Sequence, residues 1–275
     1  MKKTNRNAMY SFWSAAIIVC LVLAVFAVIF ASAIGNGGRT AKQPAGTTPV
    51  AASTPTPTIS ANPITPSTSS AALAQTEDQG TTYVDQIFFL GDSSTALLKS
   101  ESLLTGSDSS KQVWVPESNA LPIATLDTTR YKSPVTGNNV PASEIVEVNK
   151  PKYLVIFPSS DNANMLTEEQ VQSAYSTLLA GIKEKSPDTR IICSSLTPIA
   201  SNYAYEDLTN EIINKVNGWI AAAAEASGVK YLDAAAGLVG DDGFLPEAYQ
   251  NGDGVHLSAD GIKAWLDYLK THAYP

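Results

Sequence analysis

Ser93, His256 and Asp253 are residues of the types needed for nucleophilic acyl chemistry. Ser93 lies in the turn Gly91-Asp92-Ser93-Ser94, directly after the apolar run Ile87-Phe88-Phe89-Leu90. Asp253 stands three residues before His256 in Asp253-Gly254-Val255-His256-Leu257. A serine hydroxyl is a poor nucleophile until a base takes its proton. A neutral imidazole titrates near working pH and is the natural base. His272, the other of the chain's 2 histidines, sits in the last five residues and is read as peripheral. Asp253 can hold the second ring nitrogen of His256, fixing its tautomer and stabilising the imidazolium. Each piece also has a plain reading. Gly-Asp-Ser and Asp-Gly are turn formers, and a histidine before a helix often packs or caps. The combination points to a serine hydrolase, and one without the Gly-x-Ser-x-Gly elbow of another hydrolase class.

Such a triad needs a scaffold that brings residue 93 and residue 256 together. Short β-branched or aromatic runs at 87–90, 112–115, 153–157, 190–193 and 229–232 read as strands. Helical patterns lie between them at 94–104, 142–148, 168–185 and 207–226, and a last helix starts after Ser258, a good N-cap. Strand–helix alternation predicts an α/β domain whose parallel sheet is covered on both faces. In such sheets the site lies at the carboxyl ends of the strands, where Ser93 falls. A hairpin insert is expected around Thr136-Gly137-Asn138-Asn139.

The rest of the chain sets the context. After a short N-terminus (residues 1–10), expected to be cytoplasmic, the segment 11–34 is apolar and free of charge from Phe12 to Ile34. It is long enough to span a bilayer, which takes roughly 20 apolar residues, and reads as a transmembrane signal anchor. Lys2, Lys3 and Arg6 precede it and orient the downstream chain to the outside. Ala31-Ser32-Ala33 leaves a cleaved, secreted form open. Residues 35–79 are rich in Thr, Pro, Ser and Ala and read as a disordered linker. The catalytic domain is then expected at 80–275. All 26 acidic residues lie from Glu77 onward, against 13 basic ones, a net charge of −13. That surface argues against nucleic acid as a partner. Cys193, in the apolar run Arg190-Ile191-Ile192-Cys193, reads as a small buried hydrophobe. No cysteine pair or His-x₃-His spacing suggests a metal site.

From residue 84 to the end the chain resembles the SGNH hydrolases, also called the GDSL family. Gly91-Asp92-Ser93 matches the family's first block and Asp253-Gly254-Val255-His256 its last. Gln112-Val113-Trp114-Val115-Pro116, Lys150-Pro151-Lys152-Tyr153 and Asn251-Gly252-Asp253-Gly254 look like a membrane-anchored subgroup from Gram-positive bacteria. The resemblance implies a flavodoxin-like three-layer α/β/α sandwich. It also implies Ser93 as nucleophile, His256 as base, Asp253 as its orienter, and no cofactor. Two blocks depart from the pattern. Asn119 stands where the family has an oxyanion-binding glycine, and Tyr153–Asn162 places Ser159 at the glycine and Asp161 at the asparagine of Gly-x-Asn. An ionised aspartate only accepts hydrogen bonds and repels an oxyanion. A protonated Asp161, a shift to Asn162, or the Asn119 side chain could restore a donor. The expected function is an extracellular, membrane-tethered serine esterase of small O-acyl esters, on cell-wall or surface glycans. The alternative is a catalytically impaired surface module that binds glycan or protein.

Overall fold

The computed structural model describes residues 63–275. The anchor expected at 11–34, the residues 1–10 expected to be cytoplasmic, and most of the expected linker lie outside the described residues. Among the described residues no helix is long and apolar enough to cross a membrane.

Five parallel strands form the central sheet: β1 (Ile87–Gly91), β2 (Val113–Trp114), β5 (Tyr153–Phe157), β6 (Arg190–Ser194) and β7 (Lys230–Leu232). They lie in the order β2-β1-β5-β6-β7. Counted along this sheet alone the order is 2-1-3-4-5, the flavodoxin-type arrangement, whose switch point falls between β1 and β5. A separate antiparallel pair, β3 (Arg130–Lys132) and β4 (Asn139–Pro141), is the expected hairpin. Seven α-helices are described: α1 (Gly80–Val84), α2 (Ser93–Ser100), α3 (Ala142–Asn149), α4 (Glu168–Lys185), α5 (Asn210–Ala226), α6 (Ala234–Leu238) and α7 (Ala259–Lys270).

The strands are apolar on both faces, and their alternating side chains feed two cores. Leu90, Leu154, Ile156, Ile191 and Cys193 pack with Ile145 of α3, Leu178 of α4 and Ile220 of α5. Phe89, Val155, Phe157 and Ile192 pack with Leu98 of α2, Leu238 of α6 and Trp265 of α7. Period-two alternation therefore sorts the strands into two layers of contact, giving a three-layer sandwich. Trp265 stacks on Phe157 at 4.8 Å and donates from Nε1 to Ser194 Oγ at 3.2 Å. Helix starts follow local chemistry. Thr167 and Gln170 form a reciprocal capping box on α4, and the Ser258 hydroxyl accepts from Gly261 N–H to start α7. Cys193 is buried and free, and burial pushes its thiol up to about 12.

The linker expectation for 35–79 needs correction at its end. Residues 63–79 pack along the domain, with Ile64, Ala71 and Leu73 buried. Leu73 N–H donates to Tyr231 O at 2.8 Å and Tyr231 N–H to Ala71 O at 2.9 Å, so this strap pairs with the free edge of β7. Asn214 holds it at Pro63 O and Thr65 N–H, Asp233 at Ser67 N–H, and Glu225 at the hydroxyls of Ser69 and Ser70. An edge strand offers unpaired N–H and C=O groups, and any backbone can satisfy them whatever its side chains.

Candidate active site

The carboxyl ends of β1, β5 and β6 open into a cavity of about 210 Å³. Five chain segments far apart in sequence build this end of the sheet, and all but 116–122 line the cavity.

The first is the turn after β1. Gly91 ends the strand where no side chain fits: a Cβ there would fall 1.9 Å from Thr95 Oγ1 and 3.1 Å from Phe157 O. Asp92 then caps α2, its Oδ1 accepting from Ser94 N–H at 2.9 Å and Thr95 N–H at 3.3 Å. Asp92 and Ser94 are buried and line the cavity. Ser93, between them, is partly buried and does not line it. No hydrogen bond joins the Ser93 hydroxyl to His256 in this structure.

The second segment is 116–122, which runs between the ends of β1 and β5. Ser93 N–H donates to Asn119 O, and Asn119 N–H donates to Pro116 O, both at 2.9 Å. Asn119 has φ of 57°, a left-handed conformation that asparagine tolerates better than most residues and glycine adopts freely. The backbone N–H that Asn119 keeps in place of the family's glycine is therefore already engaged by Pro116 O. The Asn119 side chain is exposed and does not line the cavity.

The third segment comes after β5. Ser159 is buried, and its hydroxyl donates to Asp161 Oδ2 at 2.6 Å. Ser159, Asp161 and Asn162 all line the cavity. Asn162, at φ of 56°, makes no side-chain hydrogen bond with the described residues.

The fourth is the loop before α7. Asp253 Oδ2 lies 2.7 Å from His256 Nδ1. Asp253 Oδ1 accepts from Val255 N–H and His256 N–H, both at 2.9 Å. Burial tends to raise the Asp253 carboxyl, but these N–H groups and the imidazole together hold it below the ordinary value. Gln250 Oε1 closes the loop on Gly252 N–H and Gly254 N–H. His256 lines the cavity while Asp253 stands behind it.

A further loop, after β6, is less visible in sequence. Asn217 pins Leu196 and Asn210 pins Ile199, both from buried positions on α5. Thr197, Tyr203 and Asp207 of this loop line the cavity. Ala200 N–H donates to Gly254 O at 2.8 Å, joining this loop to the His256 loop.

Asp92 is the most perturbed acid of the site. Burial raises its carboxyl to about 6, against the pull of Thr95 N–H, Ser94 N–H and His256, with Asp161 adding to the rise. In the unfolded chain the same carboxyl returns to its ordinary value near 3.9. Below about pH 4 both states hold the proton and nothing is lost. As pH rises through 6 the folded protein must carry a buried charge, and stability falls. Asp92→Asn keeps a good N-cap without that charge. It is expected to raise stability at pH 7 by roughly 1–3 kcal/mol, the gain shrinking towards pH 4. Urea unfolding of both proteins at pH 4 and pH 7 measures this, and a gain that does not change with pH would contradict it.

Several solved structures are similar in fold. The periplasmic domain of a lipopolysaccharide acetyltransferase from Salmonella ser. Paratyphi A is 18% identical, with 67% of this chain and 82% of that one covered, at a TM-score of 0.46. A GDSL-like lipase from Bacteroides thetaiotaomicron is 15% identical, covering 68% and 87%, at 0.44. A carbohydrate esterase family 3 protein from Talaromyces cellulolyticus is 16% identical, covering 66% and 92%, at 0.42. No curated protein sequence matches the chain. Residues 89–264 match the GDSL-like Lipase/Acylhydrolase family, a span that runs from within β1 to within α7 and takes in both the Gly-Asp-Ser turn and the Asp-x-x-His loop, and the chain belongs to that family.

Proposed function

We propose that the protein is a serine esterase that cleaves small O-acyl esters, with Ser93 as nucleophile, His256 as base and Asp253 as orienter. The observation that carries this reading is the Asp253–His256 contact at 2.7 Å beside a cavity that His256 lines together with Asp92 and Ser94, the two neighbours of Ser93. Asp253 holds Nδ1, which leaves Nε2 to take the Ser93 proton as Oγ attacks the ester carbonyl carbon. The tetrahedral intermediate collapses, and the departing alkoxide takes that proton from His256. Water, deprotonated by the same nitrogen, then releases the acid from Ser93. We read the acyl part as a small, acetyl-sized group. We read the alcohol part as a cell-wall or surface glycan. We also read the apolar segment 11–34 as the anchor that holds the domain outside the membrane. Asn162, unpaired at the cavity, is the donor that we assign to the oxyanion in place of Asp161.

One observation favours the second reading, a binding module without turnover. The backbone N–H groups of Ser93 and Asn119 are both engaged within the fold, and an oxyanion needs donors aimed at it. Hydrolysis of p-nitrophenyl acetate by the full chain and by Ser93→Ala separates the two. Turnover that falls at least about 10³-fold in the variant supports the esterase. Equal rates in both proteins would sink it.

A further inference from the structure

The cavity is lined by carboxylates that no lysine or arginine offsets. Asp92, Asp161 and Asp207 line it, and Asp253 stands behind His256. No lysine or arginine is among its lining residues. Among the described residues, none of the ion pairs of Lys or Arg involves these four carboxylates. Each lining carboxylate also keeps one oxygen without a hydrogen bond. Asp92 uses Oδ1 for the α2 cap, Asp161 uses Oδ2 for Ser159, and Asp207 uses Oδ1 for the Tyr203 hydroxyl at 3.1 Å.

Two further features point to a ligand. Ser94 is only 6% exposed, lines the cavity, and its hydroxyl makes no hydrogen bond within the described residues. Tyr203 lines the cavity beside Asp207, and Tyr205 packs edge-on against it with ring centroids 5.6 Å apart. Tyr205 is 69% exposed, so an aromatic face stands open beside this wall. Aromatic faces and carboxylates together attract cations.

These charges oppose the proposed chemistry unless something offsets them, since the tetrahedral intermediate adds another negative charge. Resting on the esterase reading above, we propose that the cavity selects esters carrying an ammonium group close to the ester carbonyl, so that the substrate supplies the cation the site lacks. Asp161, unsuited to an oxyanion, is then a specificity residue that faces the ammonium. The ammonium could sit on the acyl side, as in an aminoacyl ester, or on the alcohol side, as in an amino sugar or a choline-like alcohol. The shared chemistry is the cation near the carbonyl.

Two pairs of equal shape test this with the full chain. Alanine methyl ester against methyl isobutyrate places the charge on the acyl side. Acetylcholine against 3,3-dimethylbutyl acetate places it on the alcohol side. At about pH 6.5 and low salt, kcat/KM should favour the cationic member of one pair by at least about tenfold. The pair that shows it identifies the side. Raising the salt should shrink the ratio. Asp161→Asn, Asp207→Asn and Tyr205→Ala should each cut it at least about threefold. Ratios near or below one in both pairs, with Ser93-dependent turnover intact, overturn the proposal and leave the esterase reading standing. Tetramethylammonium binding, followed by calorimetry, gives a readout independent of turnover. Binding that weakens in Asp207→Asn supports the cation site even if no ester is cleaved, and absence of binding counts against it.

Discussion

Asp253→Asn is expected to lower kcat on a small acetate ester by about 10³–10⁴-fold, with little change in KM or in stability. The expectation rests on the two oxygens of Asp253. Oδ1 accepts the N–H groups of Val255 and His256, and an asparagine carbonyl oxygen can keep both. The asparagine NH₂ then replaces Oδ2 opposite His256 Nδ1. An NH₂ group only donates, so Nδ1 must accept, and the ring proton moves to Nε2. In that tautomer Nε2 cannot take the Ser93 proton. Because the loop keeps its backbone bonds, the loss falls on turnover and not on folding. A variant that retains wild-type kcat would show that His256 does not act through Nε2.

The second large effect is expected at Gly254. Its φ of 84° is strained for any residue with a Cβ. A Cβ there would also lie 2.8 Å from Tyr203 Cα and 2.9 Å from Tyr203 N. These are backbone atoms, so no side-chain rotation relieves the contact. The His256 loop and the Tyr203 loop must move apart, although Ala200 N–H and Gly254 O hold them together. Gly254→Ala is expected to cost about 2–4 kcal/mol of stability. It should also lower kcat/KM by at least about 10²-fold, because His256 is two residues away and the geometry is demanding. Gly252→Ala is the control in the same loop. It too has a positive φ, 113°, but nothing lies within 4 Å of its Cβ position. Unfolding and kinetics of the two variants side by side separate contact from backbone strain. Equal losses would remove the Tyr203 contact as the cause.

Much of this fold is written in local sequence. The run 153–157 forms β5 and the pattern 168–185 forms α4 with the expected bounds, because β-branched and aromatic residues, a capping box and helical apolar spacing agree there. Ser258 starts α7 as its hydroxyl predicts. The strap at 63–79 is hidden for a physical reason. Its contacts to Tyr231 are backbone bonds to a sheet edge, and Thr/Pro/Ser composition does not reveal whether an edge is vacant. The short helices α1 and α6 also escape a reading by pattern, since five residues carry little periodicity.

The candidate site is legible in its chemistry more than in its shape. The Asp253–His256 pair forms the contact that its spacing suggests. Sequence does not give which groups face the cavity. Asp92 and Ser94 line it and Ser93 does not, because the cap on α2 fixes how each residue of the first turn is rotated. The engagement of Asn119 with both Ser93 and Pro116 likewise depends on the turn at φ of 57°, which no residue type alone dictates. Tyr203 and Asp207 reach the cavity because two buried asparagines on α5 fold their loop back over it.

The most direct test of the central claim is to treat the full chain with a fluorophosphonate and locate the adduct by peptide mass spectrometry. The expected result is a single phosphonylated serine at position 93, lost in Ser93→Ala and strongly reduced in His256→Ala. An adduct on Ser94, or none at all under conditions that label a known serine esterase, would contradict the assignment of Ser93 as the nucleophile.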